Sequence, residues 1–225
     1  MSHLIPQFFD IQNRKKYGRL GMIFALMLSG CSHPVTLIQL SDDTQSAKEN
    51  ATFKAALLVA CKTLAQNSRP KDRHAFILVN GTMPNVADLK PVRIPEELHR
   101  PCQAWQNSPP GEGATEPCQS WTVAHELIER EDLPPLVVSA IENNDAQTWC
   151  PETLNALSST IQTQNGMLLL IGAENKANNP FSQLQWDLLH NHSHVRFCAG
   201  DGSDVADCVR SALKKVRRNA QEIQS

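Results

Sequence analysis

No apolar stretch in this 225-residue chain is long enough to cross a membrane. The longest candidate, Leu20 to Leu28, is nine mostly apolar residues. As a helix it rises about 14 Å against a bilayer core of roughly 30 Å. Cations are not in surplus either: 21 Lys and Arg face 23 Asp and Glu. That balance argues against nucleic acid as a partner, because phosphate-backbone affinity is driven mainly by Lys and Arg. The chain has no Cys-x-x-Cys pair, which leaves thioredoxin chemistry and ribbon zinc sites without support. It also has no Gly-x-Ser-x-Gly elbow, no Gly-rich phosphate loop and no His-Glu-x-x-His. An enzyme reading therefore starts weak.

What is there begins at the N-terminus. Arg14, Lys15, Lys16 and Arg19 precede the apolar nine, and Leu28-Ser29-Gly30-Cys31 follows. A basic region, a short apolar region and small residues at the cut describe an export signal. The last four residues resemble the lipobox of bacterial lipoproteins. That resemblance implies that residues 1–30 are removed and that Cys31 carries a covalent acyl lipid such as palmitate. Ser32 after the cysteine resembles the sorting pattern for the outer membrane, with the domain facing the periplasm. Without residues 1–30, 17 cations face 22 anions, so attachment to a membrane falls to the lipid.

Six further cysteines, Cys61, Cys102, Cys118, Cys150, Cys198 and Cys208, are an even set suited to three disulfides in an oxidising compartment. Cys102-Gln-Ala-Trp105 and Cys118-Gln-Ser-Trp121 echo each other across a turn-rich bridge. The spacing predicts a Cys102–Cys118 bridge closing a surface loop. Cys198–Cys208 is expected across a short Gly-containing turn, and Cys61 and Cys150 pair by elimination. Trp105 and Trp121 have two readings, partner-binding anchors or covers for the disulfide and core, and the second is favoured.

Residues 31–34 form a short tether, and residues 35–220 read as one α/β domain. Val35-Thr-Leu-Ile-Gln-Leu40 has the pattern of a buried strand. Phe53, Ala56, Leu57, Ala60, Cys61 and Leu64 then repeat with the period of one helix face. His74 to Val79 reads as a second strand, so a βαβ unit with parallel strands is expected. Nine of the fourteen prolines fall between Pro84 and Pro135. This marks residues 82–135 as an irregular Pro-, Cys- and Trp-rich insertion, closed by a disulfide, with little room for long helices.

Leu136 to Ile141 suits a strand or a short helix, Pro151 to Gln162 a helix, and Met167 to Ile171 an apolar strand. Pro180 to His190 reads as a helix and Val195 to Ala199 as a strand. A terminal helix from Ser203 buries Val205, Val209, Ala212, Leu213 and Val216. Its basic turns at Lys214, Lys215, Arg217 and Arg218 fit compensation of the helix dipole better than a binding patch. The alternation points to an open, mostly parallel sheet with helices on both faces.

Ligands of such sheets bind beyond the carboxyl ends of the strands. Asp42-Asp43-Thr44-Gln45-Ser46 lies there as D-x-T-x-S, between a strand and an amphipathic helix. Here the chain resembles von Willebrand factor A-like domains, whose first loop carries a D-x-S-x-S metal-ion-dependent adhesion site. Arg69-Pro-Lys-Asp-Arg73 and the order of elements after residue 167 are similar to the family as well. The resemblance implies a Mg²⁺ site of Asp42, Thr44 and Ser46, completed by Thr148. It departs from the family at Ile171-Gly172-Ala173, where the family's Asp is missing and only Glu174 is near, so the site is degenerate. The other reading of Asp42 to Ser46 is a turn and helix cap. His190, His192 and His194 alternate as metal ligands would on an extended segment, although a helix end there would defeat that geometry.

The function expected from these residues is a lipid-anchored envelope protein that binds another envelope or surface protein as an adaptor or assembly factor. The alternative is a periplasmic metal-dependent hydrolase using Asp42, Thr44 and Ser46 or the His190, His192 and His194 cluster.

Overall fold

Continuous apolar and β-branched runs with few charges suit strands buried on both faces, and the central strands of this sheet are of that kind. In the computed structural model the described residues are 33–79, 85–86, 89–111, 117–141, 150–171, 187, 191–198 and 202–223. Residues 33–225 form one compact unit. The expected signal and Cys31 lie outside the described residues.

The strands are β1 (Thr36–Asp42), β2 (Arg73–Val79), β3 (Asn85–Val86), β4 (Lys90–Pro91), β5 (Pro135–Ala140), β6 (Met167–Ile171) and β7 (Val195–Cys198). Their order is β3-β2-β1-β5-β6-β7, with β4 also on β2. The pairs β1–β2, β1–β5, β5–β6 and β6–β7 are parallel; β3 and β4 run antiparallel to β2 at one edge. The expected open, mostly parallel sheet is present, and the 136–141 segment is a strand.

Side chains alternate across each strand. Leu37, Phe76, Val138 and Leu169 face one core, together with α2 (Ala51–Asn67), α3 (Glu96–Asn107) and α6 (Gly202–Ile223). Ile38, Ile77, Val137 and Leu168 face the other, with α4 (Pro117–Glu129) and α5 (Pro151–Thr163). Asn50 caps α2 by accepting from the Phe53 amide at 3.1 Å. The apolar faces expected for α2 and α6 are the buried ones.

The region 82–135 departs from expectation, for it holds two helices of 12 and 13 residues. The prolines are compatible with them because Pro95 and Pro117 stand at helix starts, where a missing N–H costs nothing. Only Pro101 is interior. α3 and α4 cover opposite faces of the sheet, so Cys102 and Cys118 cannot meet. The bridges are Cys61–Cys102, tying α2 to α3, and Cys118–Cys150, tying α4 to the start of α5. Cys198–Cys208 is as expected. All six cysteines are paired, two bridges of three differently from the sequence reading. The helix expected at 180–190 lies outside the described residues apart from Asp187.

At the amino edge of the sheet, buried Asp72 accepts from the amides of Val35 at 3.1 Å and Arg69 at 2.8 Å and from Arg217 at 2.7 Å. Burial lowers the Arg217 pKa, and the Asp72 carboxylate opposes that effect. Part of the basic run on α6 thus ties the terminal helix to the β2 entrance.

Candidate functional site

β1 lies in the middle of the sheet and ends at Asp42, whose partner in register is Val79. The chain turns immediately. Asp42 Oδ1 accepts from the Thr44 amide at 3.0 Å and from Thr44 Oγ1 at 2.7 Å, and Thr44 Oγ1 lies 3.3 Å from Ser46 Oγ. A five-residue helix, α1 (Gln45–Glu49), begins there, and the Thr44 side chain does not cap it. The carboxylate and two hydroxyls named from sequence are therefore one contiguous oxygen cluster at the carboxyl edge.

The loop is held from outside itself. Trp105 Nε1, on α3, donates to the Asp42 carbonyl at 2.9 Å, and the Gly111 amide donates to the Asp43 carbonyl at 2.7 Å. Lys48 Nζ lies 2.8 Å from Asp43 Oδ1 and reaches Ser108 O, Ser108 Oγ and Pro109 O at 2.9, 2.8 and 2.8 Å. It stands 5.5 Å from the Trp105 ring centroid, and its side chain is only 9 % exposed. Lys48 and Trp105 were missed as members of this site. The available signals were the i, i+4 spacing of Thr44 and Lys48 and the repeated Cys-Gln-x-Trp.

Mg²⁺ held by few protein ligands keeps several waters, and one carboxylate with two hydroxyls is a workable set of hard oxygens. Asp42, Thr44 and Ser46 are the residues that would hold it, but Asp42 and Thr44 are buried and Asp42 Oδ1 already accepts two bonds from Thr44. Lys48 already fixes a positive charge on Asp43, which weakens any further cation by ordinary repulsion. Thr148 and residues 172–174, Glu174 among them, lie outside the described residues.

His192 and His194 sit at the other end of the sheet, just before β7. His194 is buried, with Nε2 2.9 Å from Ser158 Oγ on α5, and burial lowers its pKa. Its ring centroid is 5.3 Å from that of His192 in an edge-on arrangement. His190 lies outside the described residues. No cluster of three His, Cys, Asp or Glu suited to a metal occurs among the described residues.

Taken together, the fold is a three-layer α/β sandwich with an oxygen-rich first loop at its carboxyl edge. More particularly, it is the von Willebrand factor A-type fold. A von Willebrand factor type A protein from Catenulispora acidiphila aligns with TM-score 0.56 at 12 % identity, over 81 % of this chain and 43 % of that one. The pilus adhesin SpaC from Lactobacillus rhamnosus GG aligns with TM-score 0.57 at 8 % identity, over 83 % of this chain and 30 % of its own. An aerotolerance-related membrane protein from Bacteroides fragilis aligns with TM-score 0.55 at 10 % identity, over 82 % of this chain and 99 % of its own. The chain thus spans less than half of the first two proteins. No protein-family model and no curated protein sequence matches it.

Proposed function

We propose that the chain is a lipid-anchored envelope protein whose A-type domain binds another envelope or surface protein at the rim formed by Gln45, Ser46 and the 108–111 segment, with buried Asp42 and Thr44 setting the loop from beneath. The anchor would be an acyl lipid on Cys31, placing the domain at the outer membrane facing the periplasm. The observation that carries this reading is the oxygen cluster at the carboxyl edge of the central strand, braced by Trp105 and Lys48. The likeness of the fold to a pilus adhesin is compatible with it.

Because Lys48 supplies a resident cation, recognition at this rim runs without a bound ion. The hydrolytic alternative has less to build on, since His194 is turned onto Ser158 in the interior, away from Asp42. Crosslinked capture from intact cells tests the proposal. Asp42→Ala is expected to cut capture at least tenfold while costing about 1–2 kcal/mol of stability, the size of a lost loop hydrogen bond. EDTA is expected to leave capture unchanged. Capture untouched by Asp42→Ala would remove the rim from the account, and capture lost in EDTA and restored by Mg²⁺ would restore the ion.

A further inference from the structure

Between β4 and the outer side of α3 lies a groove of about 510 Å³. That volume suits a small ligand. Phe76, Val92, Pro101 and Ala104 line it. His74 also contributes to the wall, with Nε2 buried and without a partner among the described residues. Burial lowers the His74 pKa to about 4, so the wall is uncharged at neutral pH. The Cys61–Cys102 bridge fixes α3 as one side of the groove.

The mouth has the opposite character. Lys90, Arg93 and Arg100 surround it, and Glu97 is the acid beside them. One Glu97 oxygen already accepts from the Arg93 amide at 2.8 Å. A cationic rim on a chain of net charge −2 selects an anion. The apolar interior selects the rest of the ligand: a peptide backbone laid there would leave N–H and C=O groups unpaired, whereas an alkyl chain has none.

We infer that this groove is a binding site for a fatty-acid anion, with the alkyl chain along Phe76, Val92 and Ala104 and the carboxylate on Arg93 and Arg100. Guanidinium groups suit a carboxylate because two parallel N–H donors match its two oxygens. The site shares no residue with the proposed rim and does not depend on it.

Membranes from cells producing the full chain, irradiated with a diazirine analogue of dodecanoate, test the inference. Mass mapping is expected to place the label on peptides covering residues 90–104. Dodecanoate should displace it at a concentration at least tenfold lower than dodecanol. Arg93→Glu with Arg100→Glu should reduce labelling about tenfold, and Ala104→Trp, which fills the groove, should abolish it. Non-reducing mass maps of both variants check that the three disulfides still form. Absent or evenly spread labelling, equal competition by the alcohol, or labelling that survives Ala104→Trp with disulfides intact would each overturn the site.

Discussion

The two faces of the sheet carry the same four-residue device and use it differently. On one face Cys102 bridges to α2 and Trp105, one helical turn later, donates to the Asp42 carbonyl. On the other, Cys118 bridges to the start of α5, and Trp121 Nε1 donates to Ser139 Oγ at 3.3 Å within β5. Positions i and i+3 share a helix face, so each helix presents a sulfur to its neighbour and an indole to the sheet. Both indoles are buried, as the core-covering reading of the tryptophans expects. The first device also fixes the candidate loop, whereas the second fixes the body of the sheet. The lesson is that a repeated motif can be structural in both copies and still serve function in one.

Removing the bridges gives the largest expected effect. Cys61→Ser with Cys102→Ser, and Cys118→Ser with Cys150→Ser, should each cost about 4 kcal/mol in the chain-entropy model, because the separations of 41 and 32 residues are similar. Urea unfolding measures both. Only the first pair should also loosen residues 42–48, read as faster amide exchange. Equal loosening by both would erase the distinction between the faces.

Acid is the next probe. His74 lies on the face that holds α3, among Glu97, Lys90, Arg93 and Arg100, and burial lowers its pKa from 6.5 to about 4, with Glu97 pulling the other way. The unfolded chain therefore takes up a proton that the native state refuses. Stability is full above about 6.5 and falls as pH drops towards 4, by on the order of 3 kcal/mol in total. His194, on the opposite face, contributes with the same sign because burial lowers its pKa as well. Unfolding at pH 7.5 and pH 5 should show His74→Phe with a shallower acid loss than the parent. An unchanged acid limb would contradict the buried neutral imidazole.

Smaller still is the loss of one indole donor. Trp105→Phe and Trp121→Phe should each cost about 1–3 kcal/mol, since each leaves a buried acceptor without its donor. Thermal melts compare the two, and amide exchange at Thr44 and Lys48 should rise at least tenfold only for Trp105→Phe.

Much of this architecture was readable from residue pattern. The βαβ start, the apolar faces of α2 and α6 and the first-loop oxygens follow from periodicity and from the edge where such sheets bind. The 82–135 region was not, because proline count hides proline position: Pro95 and Pro117 begin helices instead of breaking them. Bridge partners were misread for a related reason. Short separation favours Cys102 with Cys118, but two helices on opposite faces of a sheet keep them apart. Apart from its i, i+4 spacing from Thr44, nothing in the sequence pattern marks Lys48, and only the approach of Ser108 and Pro109 gives it a role.

The most direct test of the central claim, that partner contact occurs at the carboxyl rim, is a paired crosslink in intact cells. A photoreactive residue is placed either at exposed Gln45 on the rim or at exposed Lys71 near the amino edge. The account predicts a discrete partner adduct from position 45, unaffected by EDTA, and none from position 71. An adduct from position 71 alone, or from neither position, would contradict it.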